Sequence, residues 1–328
     1  MSEYWLYDQV LIERPEWQPT FALSSSLNWI KALSYEINQE HGALIERQFN
    51  SCMNLCAQIR NRGGNIPLAP IYGTLYHAIT FSISLNELYH SNTYGPVMLP
   101  SAVISWYYSI YNSFKSILAA FDNRQTETHT AMIRALNGGN GFGRYLPHPF
   151  NMVATRTTGE QYHPTFPKYP NVPNVDLSIT FNNTRSTAQG MILSYLNGTA
   201  KWEVDKIKQR LIDDRQVVNF RTRNARTIRD NRLPSEVNFL NCAFRYRGKA
   251  NYRDSMFLAY GLSDQRLNNG YIGELFNISR FTILWAIAYI SKRTSRANVI
   301  AFINDVQRHL RGLNTLSEGS NFINGINV

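Results

Sequence analysis

Apolar residues recur every three or four positions along most of this chain, which is the spacing that places them on one side of an α-helix. In the N-terminal part, this spacing predicts one or two helices over residues 24–61, with a break near Gly42, and another helix over residues 72–89. Residues 101–121 contain no glycine or proline and predict a further long helix. The pattern therefore indicates a mainly α-helical fold.

Helical spacing continues towards the C-terminus. A short helix is predicted from Thr126 or Thr128 to Leu136, where the glycine-rich residues 137–143 end it. Ser186 and Thr199 are predicted caps of two helices separated by Gly198, and Ser235 is the predicted N-cap of a later one. The helices expected in this part of the chain cover residues 186–197, 199–216, 237–248, 251–260, 274–292 and 296–311.

Residues 144–185 interrupt the helical pattern. They are rich in proline, asparagine and threonine, and their one alternating stretch, residues 175–181, predicts a short strand. Such an irregular excursion is typical of a flap, an oligomer contact or a hairpin. We therefore divide the chain into a helical extension at 1–100, a helical domain at 101–312 with an irregular insertion at about 138–185, and a tail at 313–328.

The composition is that of a folded globular protein, with 44% hydrophobic and 17% charged residues. The longest apolar run, residues 281–290, is about half of the roughly 20 residues that span a bilayer, so we expect a buried helix and no membrane contact. Three cysteines and no signal-peptide pattern favour a reducing, cytoplasmic compartment. Cys52 and Cys56 lack nearby third and fourth metal ligands, so we predict neither a metal nor a cofactor.

Positive charge is concentrated in one segment. Residues 201–253 carry fourteen basic and six acidic residues, which accounts for eight of the ten formal net charges. Arginine predominates, and its planar guanidinium binds phosphate oxygens in pairs and stacks on bases. A solvated helix face, or a surface for an acidic protein, would have the same composition. The predicted nucleic-acid-binding residues are Arg221, Arg223, Arg226, Arg229, Arg232, Arg245, Lys249 and Arg253.

Three motifs resemble those of the HEPN superfamily, the nucleotide-binding helical domains of many prokaryotic toxin and defence proteins. They are the tyrosine-rich helix WYYSIYNSFKSILAAF at 106–121, the helix start ETHTAMIRAL at 127–136, and FRYRGKANYRDSMFLAYG at 244–261. The resemblance covers about 70 of the 328 residues, and the spacing between the motifs is wider than usual. It implies a helical bundle, here elaborated with extra helices, that commonly forms a homodimer.

The resemblance also implies a site. In ribonuclease members, an arginine lies near the scissile phosphate and a histidine a few residues later assists cleavage through the RNA 2′-hydroxyl without a metal. Arg247, or alternatively Arg245, matches the arginine, whereas Asn251 and Tyr252 stand where the histidine is expected. His129, in the second motif, is a candidate substitute, although a lone histidine at a helix start also serves as a cap or packs locally. The catalytic candidates are Arg247, Asn251, Tyr252 and His129.

The tyrosines of the first motif have two interpretations. Tyr107, Tyr108 and Tyr111 recur at helical spacing, which is typical of core packing, but aromatic faces also stack on bases with little sequence preference. We therefore expect them either inside the bundle or beside a nucleotide.

Three functions are compatible with these observations. The first is a HEPN-like protein that binds RNA or nucleotide phosphate in a prokaryotic toxin–antitoxin or phage-defence system, as a homodimer. The second is a metal-independent endoribonuclease of the same fold, in which Arg247 stabilises the phosphate. The third is a structural or regulatory subunit whose basic face docks an acidic protein partner.

Overall fold

The computed structural model describes residues 19–39, 67–90, 98–137, 142–165, 175–253 and 269–309. Within these ranges the chain is mainly helical, which confirms the predicted fold class. The helices are α1 (Pro19–Gln39), α2 (Leu68–His90), α3 (Leu99–Asp122), α4 (His129–Leu136), α5 (Arg185–Asp213), α6 (Arg223–Arg232), α7 (Phe239–Gly248), α8 (Asn269–Arg293) and α9 (Arg296–His309). The strands are β1 (Val153–Thr158), β2 (Gln161–Thr165) and β3 (Glu236–Asn238).

The centre of the fold is the packing of α2, α3 and α8 on one another. Helix α3 buries a broad face that includes Trp106, Ile110 and Phe114, and it ends where Asn123 adopts a left-handed conformation at φ 63°. Short polar side chains also lie in this interface, because the Ser109 hydroxyl is 2.6 Å from that of Ser279 on α8. The apolar run at 281–290 lies within α8 and is largely buried, as predicted.

The second helix pair is α1 and α5. Trp29 of α1 stacks on Tyr195 of α5 with ring centroids 4.4 Å apart, and α1 also packs on α8. Residues of α1 and α2 therefore belong to the same hydrophobic cluster as α3, α5 and α8. The described part of the predicted extension at 1–100 thus shares one core with the helices that follow it.

The predicted strand at 175–181 is wrong, because these residues form turns. The Asp176 side chain accepts a hydrogen bond from the Ser178 amide, and the Asn28 side chain donates to the carbonyls of Leu177 and Ile179. Several backbone polar groups that a strand would offer are therefore paired with side chains, and the Ile179 amide donates to the Asp176 carbonyl within the turn. The strands lie on either side of this segment in sequence, in the antiparallel sheet β2-β1-β3, where β1 and β2 form a hairpin before it and β3 comes after it.

The predicted break at Gly198 is also wrong, because α5 runs without interruption from Arg185 to Asp213. Its N-cap is Thr184, whose side chain accepts from the Thr187 amide. The apolar face continues through the glycine, with Tyr195 and Leu196 before it and Ala200 after it all buried. Burial of this face outweighs the modest helix cost of one glycine.

The start of α7 differs from the prediction as well. Residues 236–238 form β3, and the N-cap is Asn238 rather than Ser235. Asn238 and Asn241 form a reciprocal capping box, which satisfies amides that Ser235 would not reach. The residues after α7 continue as a π-helical turn, Lys249–Arg253, and the remainder of the helix predicted at 251–260 lies outside the described residues.

The remaining predicted helices can be compared with the described residues. The helical pattern at 40–61, with Cys52 and Cys56, lies outside the described residues. The predicted helices at 72–89, 101–121, 274–292 and 296–311 correspond to α2, α3, α8 and α9. Across the described ranges, no helix is long and apolar enough to cross a membrane.

Candidate functional site

The predicted arginine Arg247 lies on an aromatic platform where α3 meets α7. Its guanidinium carbon is 5.3 Å from the ring centroid of Tyr108 and 5.6 Å from that of Tyr107, both on α3. Phe244, one turn earlier on α7, is 5.9 Å away. Nη2 donates a hydrogen bond of 3.0 Å to the Tyr108 hydroxyl. Three rings and one hydroxyl thus fix the position of this half-buried cation.

Nothing in the described part of the chain neutralises that cation. Arg247 forms no ion pair there with a carboxylate, and its buried Nε has no hydrogen-bond partner. A buried polar group without a partner is uncommon in a folded protein, because desolvation then costs free energy that no hydrogen bond returns. The buried Nε is closed to an external anion, which would instead meet the Nη1 and Nη2 donors of this half-buried side chain.

His129 belongs to the same cluster, although 118 positions of sequence separate it from Arg247. It is the first residue of α4, whose N-cap Thr128 accepts a hydrogen bond from the Ala131 amide. Its ring centroid is 4.6 Å from that of Tyr111, 5.3 Å from Phe244 and 5.5 Å from Tyr107. The structure thus brings together the matched arginine and the candidate substitute histidine.

The ionisation of the cluster follows from its burial. Desolvation, and secondarily the positive charge of Arg247, lower the pKa of His129, so the imidazole is neutral at pH 7. Burial raises the pKa of the Tyr107 hydroxyl, which therefore keeps its proton. Nδ1 of His129 lies 2.8 Å from that hydroxyl, and either group is able to donate in the bond because a neutral imidazole has two tautomers.

The three tyrosines differ in their burial. Tyr107 and Tyr111 are buried in the core, whereas Tyr108 is partly exposed and is the hydrogen-bond partner of Arg247. Tyr108 also stacks on Phe81 of α2, with centroids 5.2 Å apart. Of the three, Tyr108 is the one that lies partly open beside the cation.

The other predicted catalytic residues are less well placed. Asn251 is half-buried in the π-helical turn after α7, one helical turn beyond Arg247. The backbone of Tyr252 lies in the same turn, but its side chain lies outside the described residues, as does that of Arg253. In the described ranges, no group of three or more potential metal ligands is present.

The predicted nucleic-acid-binding residues separate into two groups. Arg221, Arg223, Arg226 and Arg232 are exposed on or next to α6. Arg229, Arg245 and Lys249 have structural contacts instead. Arg229 is 6% exposed and forms ion pairs with Glu160 and Asp230, and Lys249 is 8% exposed. Arg245 packs on the rings of Tyr195 and Trp202 and donates to the Thr199 hydroxyl.

A cleft of about 560 Å³ opens beside the aromatic platform, between α4, α5, α7 and the end of α6. Phe244 lines it and also contacts His129 and Arg247, so this ring lies between the cleft and the platform. Four basic side chains and two acidic ones line the cleft, namely Arg134, Lys206, Arg210, Arg232, Glu203 and Asp214. The excess of basic over acidic side chains in the cleft favours the binding of an anionic ligand.

The sequence analysis did not identify this cleft. Glu203, Lys206 and Arg210 are three and four residues apart on α5, a spacing that places them along one helix face, and this was the available signal. Arg134 on α4 and Arg232 on α6 reach the cleft from elements that are distant in sequence. Their convergence depends on tertiary packing that no local pattern encodes.

Comparison with known proteins gives no further identification. No protein-family model, no curated protein and no solved structure matches this chain.

Proposed function

We propose that this chain binds RNA, or another ligand with nucleotide phosphates, at the aromatic platform around Arg247. The observation that carries the proposal is the state of Arg247: a positioned cation stacked on two tyrosine rings, without a carboxylate partner in the described residues. Arginine at such a position offers several N–H donors to phosphate oxygens, and the partly exposed Tyr108 offers aromatic surface to a base.

The surrounding charge supports a polymeric ligand. The cleft beside Phe244 is lined by Lys206, Arg210 and Arg232, and further arginines of α6 are exposed. Successive cations along a track are the arrangement that follows a phosphodiester backbone. On the HEPN resemblance, we also propose a homodimer that acts in a prokaryotic toxin–antitoxin or phage-defence system.

The test is retention of labelled tRNA and single-stranded RNA on a filter by the purified protein, over a series of salt concentrations in EDTA. We expect binding that weakens as salt increases, and a loss of about tenfold or more in Arg247→Ala. The matched control is Arg308→Ala, which removes one exposed arginine of α9 outside the basic segment and should change binding little. Equal loss in both variants, or no RNA binding by the parent protein, contradicts the proposal.

A second function, metal-independent endoribonuclease, is favoured by the meeting of His129 and Arg247 on shared rings. Arg247 would stabilise the charge that develops on the scissile phosphate. In the tautomer with the proton on Nδ1, which donates to Tyr107, Nε2 of a neutral His129 would accept the proton of the 2′-hydroxyl.

The same incubation tests this second function through its products. Cleavage in EDTA that leaves 2′,3′-cyclic phosphate ends, and that is lost in His129→Gln as well as in Arg247→Ala, supports the enzyme. Cleavage that persists in His129→Gln excludes this histidine as the proton carrier. If the protein neither binds nor cleaves RNA and instead co-purifies with an acidic protein, the docking function is the better one.

A further inference from the structure

The cleft beside the aromatic platform contains a carboxylate whose environment a basic RNA-binding surface does not explain. Glu203, on α5, has a side chain only 12% exposed and lines the cleft. Its two polar side-chain contacts within the described ranges are long: Oε1 lies 3.5 Å from Nδ2 of Asn241, and Oε2 lies 3.8 Å from Nζ of Lys206. Both oxygens therefore keep most of their capacity to accept hydrogen bonds.

The cleft contains side chains of opposite charge that would bind different ligand groups. Arg134, Arg210 and Arg232 are exposed at the cleft and form no ion pair within the described ranges. They would attract an anionic group, whereas the Glu203 carboxylate repels one and accepts from N–H donors. A ligand that suits both kinds of side chain therefore carries an anionic group and, separately, N–H donors.

An aromatic wall completes the cleft. Phe244 is partly exposed, and Nζ of Lys206 lies 5.8 Å from its centroid and 4.7 Å from that of Trp202. A planar base that displaces the Lys206 ammonium from Phe244 would stack on this ring, as bases do in single-stranded nucleic-acid sites. The volume of about 560 Å³ falls within the range of about 300 to 1,000 Å³ that is usual for small-molecule sites.

We infer that this cleft binds a guanine nucleotide, with the base at Glu203 and Phe244 and the phosphate at Arg134, Arg210 and Arg232. Guanine is the RNA base whose Watson–Crick edge presents two adjacent donors, N1–H and the N2 amino group, which match the two oxygens of a carboxylate. Adenine and cytosine present a single amino group beside an acceptor at that edge, and uracil presents one N–H between two carbonyls.

This inference rests on the proposed function, because it is RNA binding that would bring a guanosine to the cleft as part of a polymer. As part of RNA, the guanosine would lie next to the phosphate held at Arg247, because Phe244 separates the two positions by one ring. Glu203 would then determine which base is accepted beside that phosphate. As a free ligand, a guanosine phosphate would occupy the cleft without contacting Arg247.

The test is calorimetric titration of the full chain with GMP, AMP, CMP, UMP and guanosine. We expect GMP to bind at least tenfold more tightly than the other three nucleotides and than guanosine. Glu203→Gln should reduce this preference by about tenfold, since an amide replaces one acceptor by a donor. Arg210→Ala should weaken GMP and leave guanosine unchanged, and Lys201→Ala, exposed on the same helix away from the cleft, is the matched control.

Equal binding of the four nucleotides, or no binding of GMP, overturns the inference. If Glu203→Gln does not fold, as judged by its thermal unfolding, the comparison of the four nucleotides and the Arg210→Ala result still decide. RNA oligomers with and without a single guanosine distinguish the two sources. If RNA binds without sequence preference and Glu203→Gln leaves that binding unchanged, the guanine site alone is contradicted. If GMP binds but RNA is not retained, the proposed function alone is contradicted.

Discussion

Nδ1 of His129 and the hydroxyl oxygen of Tyr107 lie 2.8 Å apart, and this contact joins the first residue of α4 to the middle of α3. It fixes the orientation of the imidazole within a cluster of four aromatic rings, beside the cation of Arg247. The properties of His129 therefore depend on residues from three helices, and its titration reports directly on the candidate site.

The first prediction concerns that titration. Desolvation and the charge of Arg247 both hold the pKa of His129 below its usual value, so Arg247→Ala should raise it. The measurement is an NMR titration of the imidazole in the parent protein and the variant. Arg308→Ala, which removes a distant charge, should leave the titration unchanged. An unchanged or lower pKa in Arg247→Ala would show that the two side chains do not interact as described.

The second prediction concerns a buried hydrogen bond between His148 and Glu36. Nε2 of His148 lies 2.8 Å from Oε2 of Glu36, whose side chain is fully buried, and the pair ties α1 to the segment before β1. Glu36 also lies 3.4 Å from Nε2 of Gln189 and 3.7 Å from Nε of Arg185, so removing His148 breaks one of several buried polar contacts and should cost about 1 to 3 kcal/mol. Urea unfolding of Glu36→Ala, His148→Ala and the double variant should give losses that are far from additive. Additive losses would mean that the pair has no coupling.

The helices of the fold were predictable where one face carries an uninterrupted apolar pattern. Helices α3 and α8 are such cases, because their apolar residues pack at the centre of the core. The errors arose where tertiary contacts compete with local signals. Asn238 became the cap of α7 in place of Ser235, since pairing with β1 extends residues 236–238 as a strand.

The candidate site was predictable in part for a similar reason. Arg247 and His129 were identified from motif resemblance, but their common contacts with Phe244 and Tyr107 depend on how α3, α4 and α7 pack. The charge count of 201–253 treated all arginines alike, whereas packing buries Arg229 in ion pairs and leaves Arg226 exposed. Charge along a sequence does not specify which charges remain free.

The third prediction tests the continuity of α5. A Cβ at Gly198 would meet nothing closer than Nη1 of Arg245 at 3.7 Å, an ordinary contact, so Gly198→Ala should stabilise the protein by roughly 0.5 to 1 kcal/mol. Gly273→Ala in α8 is the matched comparison, because its Cβ would lie 2.8 Å from Cε2 of Tyr89. We expect that variant to lose stability in urea unfolding. Destabilisation by Gly198→Ala would contradict an unbroken helix at this position.

The fourth prediction concerns Glu274 on α8. Burial raises the pKa of its carboxyl to about 7, an effect that the charge of Lys31 only partly offsets, and Oε2 has no hydrogen-bond partner in the described ranges. Between pH 4.5, the ordinary value, and about 7, the folded state therefore holds a proton that the unfolded chain has lost. The stability that the protonated Glu274 contributes is fully present below the pKa of the unfolded chain. It is lost as the pH rises through the pKa of the folded state.

Glu274→Gln should consequently stabilise the protein at pH 8 by roughly 1 to 3 kcal/mol relative to the parent, since the amide carries no charge to desolvate. At pH 4.5, where the parent carboxyl is also neutral, the difference in the free energy of unfolding should largely disappear. The measurement is urea unfolding of both proteins at several pH values between these limits, with Glu127→Gln, at an exposed position, as the control. A stability difference that is the same at every pH would mean that Glu274 does not titrate in this range, and its effect would then come from packing alone.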